Sequence, residues 1–82
     1  MEPTSIERAV LERYREKCAI AGGPREGYVL RRRAIELGAP GASAEDVDGV
    51  LGGLVERGLL AASEKRDFFF LTAAGVRELE AL

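Results

Sequence analysis

Leu54-Val55-Glu56-Arg57-Gly58-Leu59-Leu60, followed beyond a charged stretch by Phe70-Leu71-Thr72-Ala73-Ala74-Gly75, decides how this chain folds. Gly58 fits the C′ position of a Schellman motif, where a left-handed backbone carries no Cβ penalty. Leu54 and Leu59 are spaced for the apolar contact that accompanies that helix stop. Two short apolar runs follow, residues 59–62 and 68–71, around the polar tip Ser63-Glu64-Lys65-Arg66-Asp67. This pattern reads as a β-hairpin. Thr72 then caps a last helix, with Leu71 placed to staple onto Val76. Val76, Leu79 and Leu82 continue the buried side of that helix.

Upstream, Ser43 caps a third helix, and Asp46 three residues later completes a weaker capping box. Val47, Val50, Leu51, Leu54 and Val55 recur at i, i+3, i+4, i+7 and i+8 as a broad apolar face. Gly49, Gly52 and Gly53 fall on the other side, each costing about 1 kcal/mol relative to alanine in a helix interior. They read either as a place where another backbone approaches closely, from DNA or a partner helix, or as glycine-rich background.

Residues 28–37 read as a shorter helix with Val29, Leu30, Ala34, Ile35 and Leu37 apolar, or as one with an extended start at residues 28–30. Gly38-Ala39-Pro40-Gly41 closes it. Arg31, Arg32 and Arg33 then fan over more than half the helix circumference and cannot all reach one ligand. The first helix opens at Thr4 and Glu7, a T-x-x-E capping box with Pro3 upstream. Ile6, Val10, Tyr14 and Cys18 form its stripe, flanked by Leu11 and Ala21, and Gly22-Gly23-Pro24 ends it.

With 82 residues the chain is one domain, residues 1–82, of mainly α structure with a small β-hairpin, an α+β fold class. It has no histidine and one cysteine. That excludes a Cys/His zinc site, an internal disulfide and any histidine-based triad. Cys18 reads as a small core residue, and Tyr14 and Tyr28 as core-edge aromatics. No nucleotide-cradling glycine motif and no acid–base pair of carboxylates is present, so neither an enzyme nor a cofactor is expected. No apolar run is long enough to span a membrane, and no secretory h-region leads the sequence, so a cytoplasmic setting is expected.

The order helix, helix, turn, helix, hairpin, helix, with the L-x-x-x-G-L step at 54–59 and the L-T-x-x-G return at 71–75, resembles the winged helix-turn-helix domain. It is similar to MarR-like and PadR-like transcriptional regulators of bacteria and archaea. The resemblance is close over 43–82 and topological over 1–42. It implies a DNA-binding regulator, with double-stranded DNA as partner and a dimer as one way of acting. The third helix would enter the major groove with Ser43, Glu45, Asp46, Asp48, Gly49 and Gly52 facing the bases. Lys65 and Arg66 would touch the backbone from the wing, and Arg31, Arg32 and Arg33 would add phosphate contacts.

The charge pattern sets a rival beside that reading. Net charge is −2, but residues 1–33 hold eight basic groups against five glutamates (+3), and residues 34–82 four against nine acids (−5). Three carboxylates, Glu45, Asp46 and Asp48, stand at the start of the supposed reading helix. No Arg, Lys, Asn or Gln, the usual base readers, lies between residues 34 and 56. Those acids suit the positive end of a helix macrodipole, and they suit a protein partner with a basic surface. On that alternative, Glu45, Asp48, Gly49 and Gly52 would dock together with Phe68 and Phe70, an outward aromatic pair unless a helix covers them.

Overall fold

Four helices and a three-stranded antiparallel sheet form from residues 2–82, the part of the chain that the computed structural model describes. In chain order they are α1 (Pro3–Ile20), β1 (Val29–Arg31), α2 (Arg32–Leu37), α3 (Ala44–Glu56), β2 (Leu60–Ala62), β3 (Phe68–Leu71) and α4 (Ala73–Glu80). The strand order is β1-β3-β2, with Leu30 opposite Phe69 and Leu60 opposite Leu71.

The expected stop signals operate as geometry. Gly58 has φ +75°, the Leu59 N–H donates to the Leu54 carbonyl, and the Gly58 N–H donates to that of Val55. That pair of bonds is the Schellman pattern. Ser43 Oγ accepts from the Asp46 N–H, and Thr72 Oγ1 accepts from the Gly75 N–H. The Thr72 hydroxyl also lies 2.6 Å from the Gly58 carbonyl oxygen, to which it donates, so one side chain ties the end of α3 to the start of α4.

The core gathers Ile6, Val10, Tyr14 and Cys18 of α1 with Ile35 of α2, Val47, Leu51 and Leu54 of α3, Leu60, Phe69 and Leu71 of the sheet, and Leu79 of α4. Tyr14 is fully buried, not at the core edge, and its hydroxyl donates to the Phe69 carbonyl at 2.6 Å. This bond fixes α1 across the inner face of β3.

Two open readings are decided and two expectations are corrected. Residues 28–37 take the extended start rather than forming one helix. Val29–Arg31 pairs with β3 because Leu30 alternates inward between two outward neighbours, and the Arg32 N–H donates to the Asp67 carbonyl at the changeover. The hairpin is therefore two strands of a three-stranded sheet. Thr4 and Glu7 do not cap α1. The helix begins at Pro3, whose ring suits the first helical position, and Glu7 accepts instead from Arg57 Nη1 at 2.6 Å. Leu37 and Leu82 are exposed rather than buried, since α2 and α4 end before a neighbour covers them. Phe70 is exposed and Phe68 half-buried, so the outer face of the sheet is open, with Val29, Phe70 and Ala61 side by side across its strands.

Candidate nucleic-acid interface

The loop joining β2 to β3 is shaped by its own side chains. Ser63 Oγ lies 2.9 Å from Asp67 Oδ1 and accepts from the Phe68 N–H, while the Arg66 N–H donates to the Ser63 carbonyl. Closing this turn puts Arg66 in the left-handed region, at φ +56°, the one positive φ outside glycine among the described residues. Lys65 and Arg66 are both exposed at its tip.

The three consecutive arginines separate into different roles. Arg31, on β1 opposite Phe68, carries its guanidinium over that ring at 5.4 Å from the centroid. Arg33 is exposed on α2. Arg32 is committed to the fold. Its guanidinium bonds Asp48 and the Ala44 carbonyl of α3, and its Nε lies 2.9 Å from Glu36 Oε1 in an ion pair off the hydrogen-bonding line. The charge of Arg32, expected from the sequence to contact phosphate, faces two carboxylates in this structure. Together Arg31, Arg32 and Arg33 line a cleft of about 480 Å³ with Glu36, Asp67 and Phe68.

The acids at the start of α3 also divide. Asp48 is the one paired with Arg32. Glu45 and Asp46 line a separate groove of about 330 Å³ between α3 and the beginning of α1, with Gly49, Gly53, Val50 and Ile6 among its walls. Gly49 and Gly53 open onto empty space. Gly52 has a neighbour: Arg66 Nη2 lies 3.9 Å from where a Cβ would stand. The residues proposed for a protein partner thus do not form one patch. Glu45 and Gly49 face the groove beside α1, Asp48 is tied to Arg32, Gly52 sits under Arg66, and Phe68 and Phe70 lie on the sheet. Ser43 is occupied as a helix cap.

Arg31, Arg33, Lys65 and Arg66 make no ion pair among the described residues. Arg31 belongs to β1, Arg33 to α2, and Lys65 and Arg66 to the hairpin loop. All four were named from the sequence as phosphate contacts, and the seating of Arg66 against α3 was not foreseen. The available signal was Gly52, the helix position whose missing side chain leaves that room. Among the described residues no group of three or more His, Cys, Asp or Glu side chains gathers to hold a metal ion, and no helix is long and apolar enough to cross a membrane. In comparisons with known proteins, no family model, curated protein or solved structure matches the chain.

Proposed function

We propose that this protein is a winged helix-turn-helix DNA-binding protein acting in transcription regulation. The element order and the β1-β3-β2 sheet support that fold reading, with the Ser63–Asp67 loop as the wing. The observation that carries the function is a set of exposed cations, without ion pairs among the described residues, on and beside the wing. Four cations without carboxylate partners, Arg31, Arg33, Lys65 and Arg66, flank the wing, while Asp48 is neutralised and Glu45 and Asp46 turn toward α1. Duplex DNA is the partner that such a surface suits, through phosphate contacts that position the protein on the backbone.

Titration into labelled random-sequence duplex at low and then moderate salt tests this. Four phosphate contacts give a slope of log affinity against log salt of about −3 to −4. Lys65→Ala is expected to make that slope shallower by about one. Absence of binding at low salt, or binding indifferent to salt, overturns the reading. The rival, contact with a basic protein through the α1–α3 groove, would then be favoured by the acids Glu45 and Asp46 on its wall.

A further inference from the structure

Gly49 and Gly53 answer to nothing inside the molecule. Packing requires Gly38 and Gly75, where a Cβ would stand 2.9 Å from the Arg13 side chain and 2.2 Å from the Leu59 carbonyl oxygen. At Gly49 and Gly53 a Cβ would meet nothing within 4 Å, and neither residue has a positive φ. Each costs about 1 kcal/mol of helix stability relative to alanine. Spaced four apart, the two lie on one face of α3. Both line the groove of about 330 Å³ between that helix and the beginning of α1.

This groove has an apolar floor and an acidic wall. Ile6 and the half-buried Val50 supply the floor, and Glu45 and Asp46 stand exposed on the wall, toward the start of α3. Neither acid makes an ion pair among the described residues, whereas Glu7, also on the groove, is held by Arg57 Nη1 at 2.6 Å. Among the described residues no cation lines it. The helix macrodipole accounts for acids at positions 45 and 46. It accounts neither for the glycines nor for the uncovered edge of Val50. From position 45 to 53 the groove follows α3 for about 12 Å, a little over two helical turns.

We infer that the α1–α3 groove is the docking site for a basic amphipathic helix of a protein partner, whose apolar stripe lies over Val50 and whose lysines or arginines meet Glu45 and Asp46. The missing side chains at 49 and 53 let the two backbones approach to about 8 Å, the near end of ordinary helix packing. Charge fixes the occupant, because unpaired carboxylates beside an apolar groove attract a basic helix and repel an acidic one. A second copy of this chain does not supply such a helix. Its α1 buries the apolar stripe in its own core, α2 has six residues, and α3 and α4 are acidic. The inference goes beyond the DNA reading and does not depend on it, since Arg31, Arg33, Lys65 and Arg66 take no part in the groove.

The test is selection, on the wild-type protein, from a displayed library of random peptides about 14 residues long, roughly four helical turns. The enriched sequences are expected to be amphipathic and rich in Lys and Arg. A synthetic peptide of the most enriched sequence is then titrated by fluorescence anisotropy into wild type, Gly49→Leu and Glu45→Lys. Gly49→Leu fills the groove and should weaken binding by at least about 10-fold. Glu45→Lys should weaken it by about 3- to 10-fold. Thermal melts separate these losses from misfolding, since leucine is the better helix former and Gly49→Leu is expected to melt no lower than wild type. Enrichment of acidic or uncharged peptides, or of none, overturns the inference. So does a basic peptide that binds Gly49→Leu as tightly as wild type. Sedimentation is expected to show a wild-type monomer, and a dimer that Gly49→Leu dissolves would give the groove to a second copy instead. Duplex DNA should treat Gly49→Leu and wild type alike, and a loss of DNA binding in that variant alone would assign the groove to DNA and refute the helix.

Discussion

Tyr14 shows how one side chain can hold two layers together. Its ring is fully buried in α1, and its hydroxyl satisfies the Phe69 carbonyl on the inner face of the sheet. Burial pushes the phenol well above its ordinary range, with the neighbouring Cys18 thiol adding to the rise, and burial raises that thiol too. An acid whose folded pKa is raised contributes stability that is fully present below its unfolded pKa. That stability drains as pH climbs above about 10, where the unfolded phenol ionises and the folded one does not. Tyr14→Phe is expected to cost about 0.5–1.5 kcal/mol at pH 7, from the lost bond. The gap to wild type should narrow above pH 10, because only the wild type retains this alkaline liability. Urea denaturation across pH 7–11 checks it, and a gap that stays constant through that window refutes the assignment. The residue scale was partly legible in the sequence: the stripe placed Tyr14 on the inner face of α1, but its depth depended on which strand lay opposite.

Glycines of apparently similar standing act oppositely once the elements are assembled. Gly49 and Gly53 lie inside α3 with open space where a side chain would begin. Each glycine-to-alanine change there is expected to raise stability by about 0.5–1 kcal/mol through helix propensity. Gly75, in the first turns of α4, is buried, and a Cβ there would stand 2.2 Å from the Leu59 carbonyl oxygen and 2.8 Å from Leu71 Cδ1. Backbone cannot yield as a flexible side chain does, so Gly75→Ala should destabilise by at least about 1–3 kcal/mol. Chemical denaturation of the three variants measures the contrast. Equal effects at positions 49 and 75 would contradict it. The L-T-x-x-G return was read from the sequence as a corner capped by threonine. Why its glycine is needed became visible only when α4 was seen against the end of α3.

For the molecule as a whole, neighbouring arginines divide stability from binding. Arg32 clamps α2 to α3 through Asp48, the Ala44 carbonyl and Glu36, whereas Arg33 projects outward without an ion pair among the described residues. Arg32→Ala is expected to cost about 1–2 kcal/mol. In a chain of this size that lowers Tm by roughly 4–8 °C per kcal/mol. Arg33→Ala should leave Tm within about 2 °C and make the salt slope of DNA binding shallower by about one. Calorimetry and anisotropy titration of both variants decide the matter, and a reversal of the two roles would overturn the division.

The sequence by itself determined the helix and strand inventory from Ser43 onward, the inward set of the hairpin and the stripe of α1. These depend on short-range chemistry: caps, glycine stops and apolar periods act within one or two turns of chain. It did not determine the start of α1, where Pro3 and a distant Arg57 outweighed a local capping box. Nor did it determine β1, because residues 29–31 have an apolar pattern too short to choose between helix and strand until β3 offers its hydrogen bonds. Above all, a run of three arginines and a run of three acids carry no record of which charges will meet. Only the tertiary structure decided that Arg32 faces Asp48 and that Arg66 lies over Gly52, since Coulomb energy depends on distance in space rather than separation along the chain.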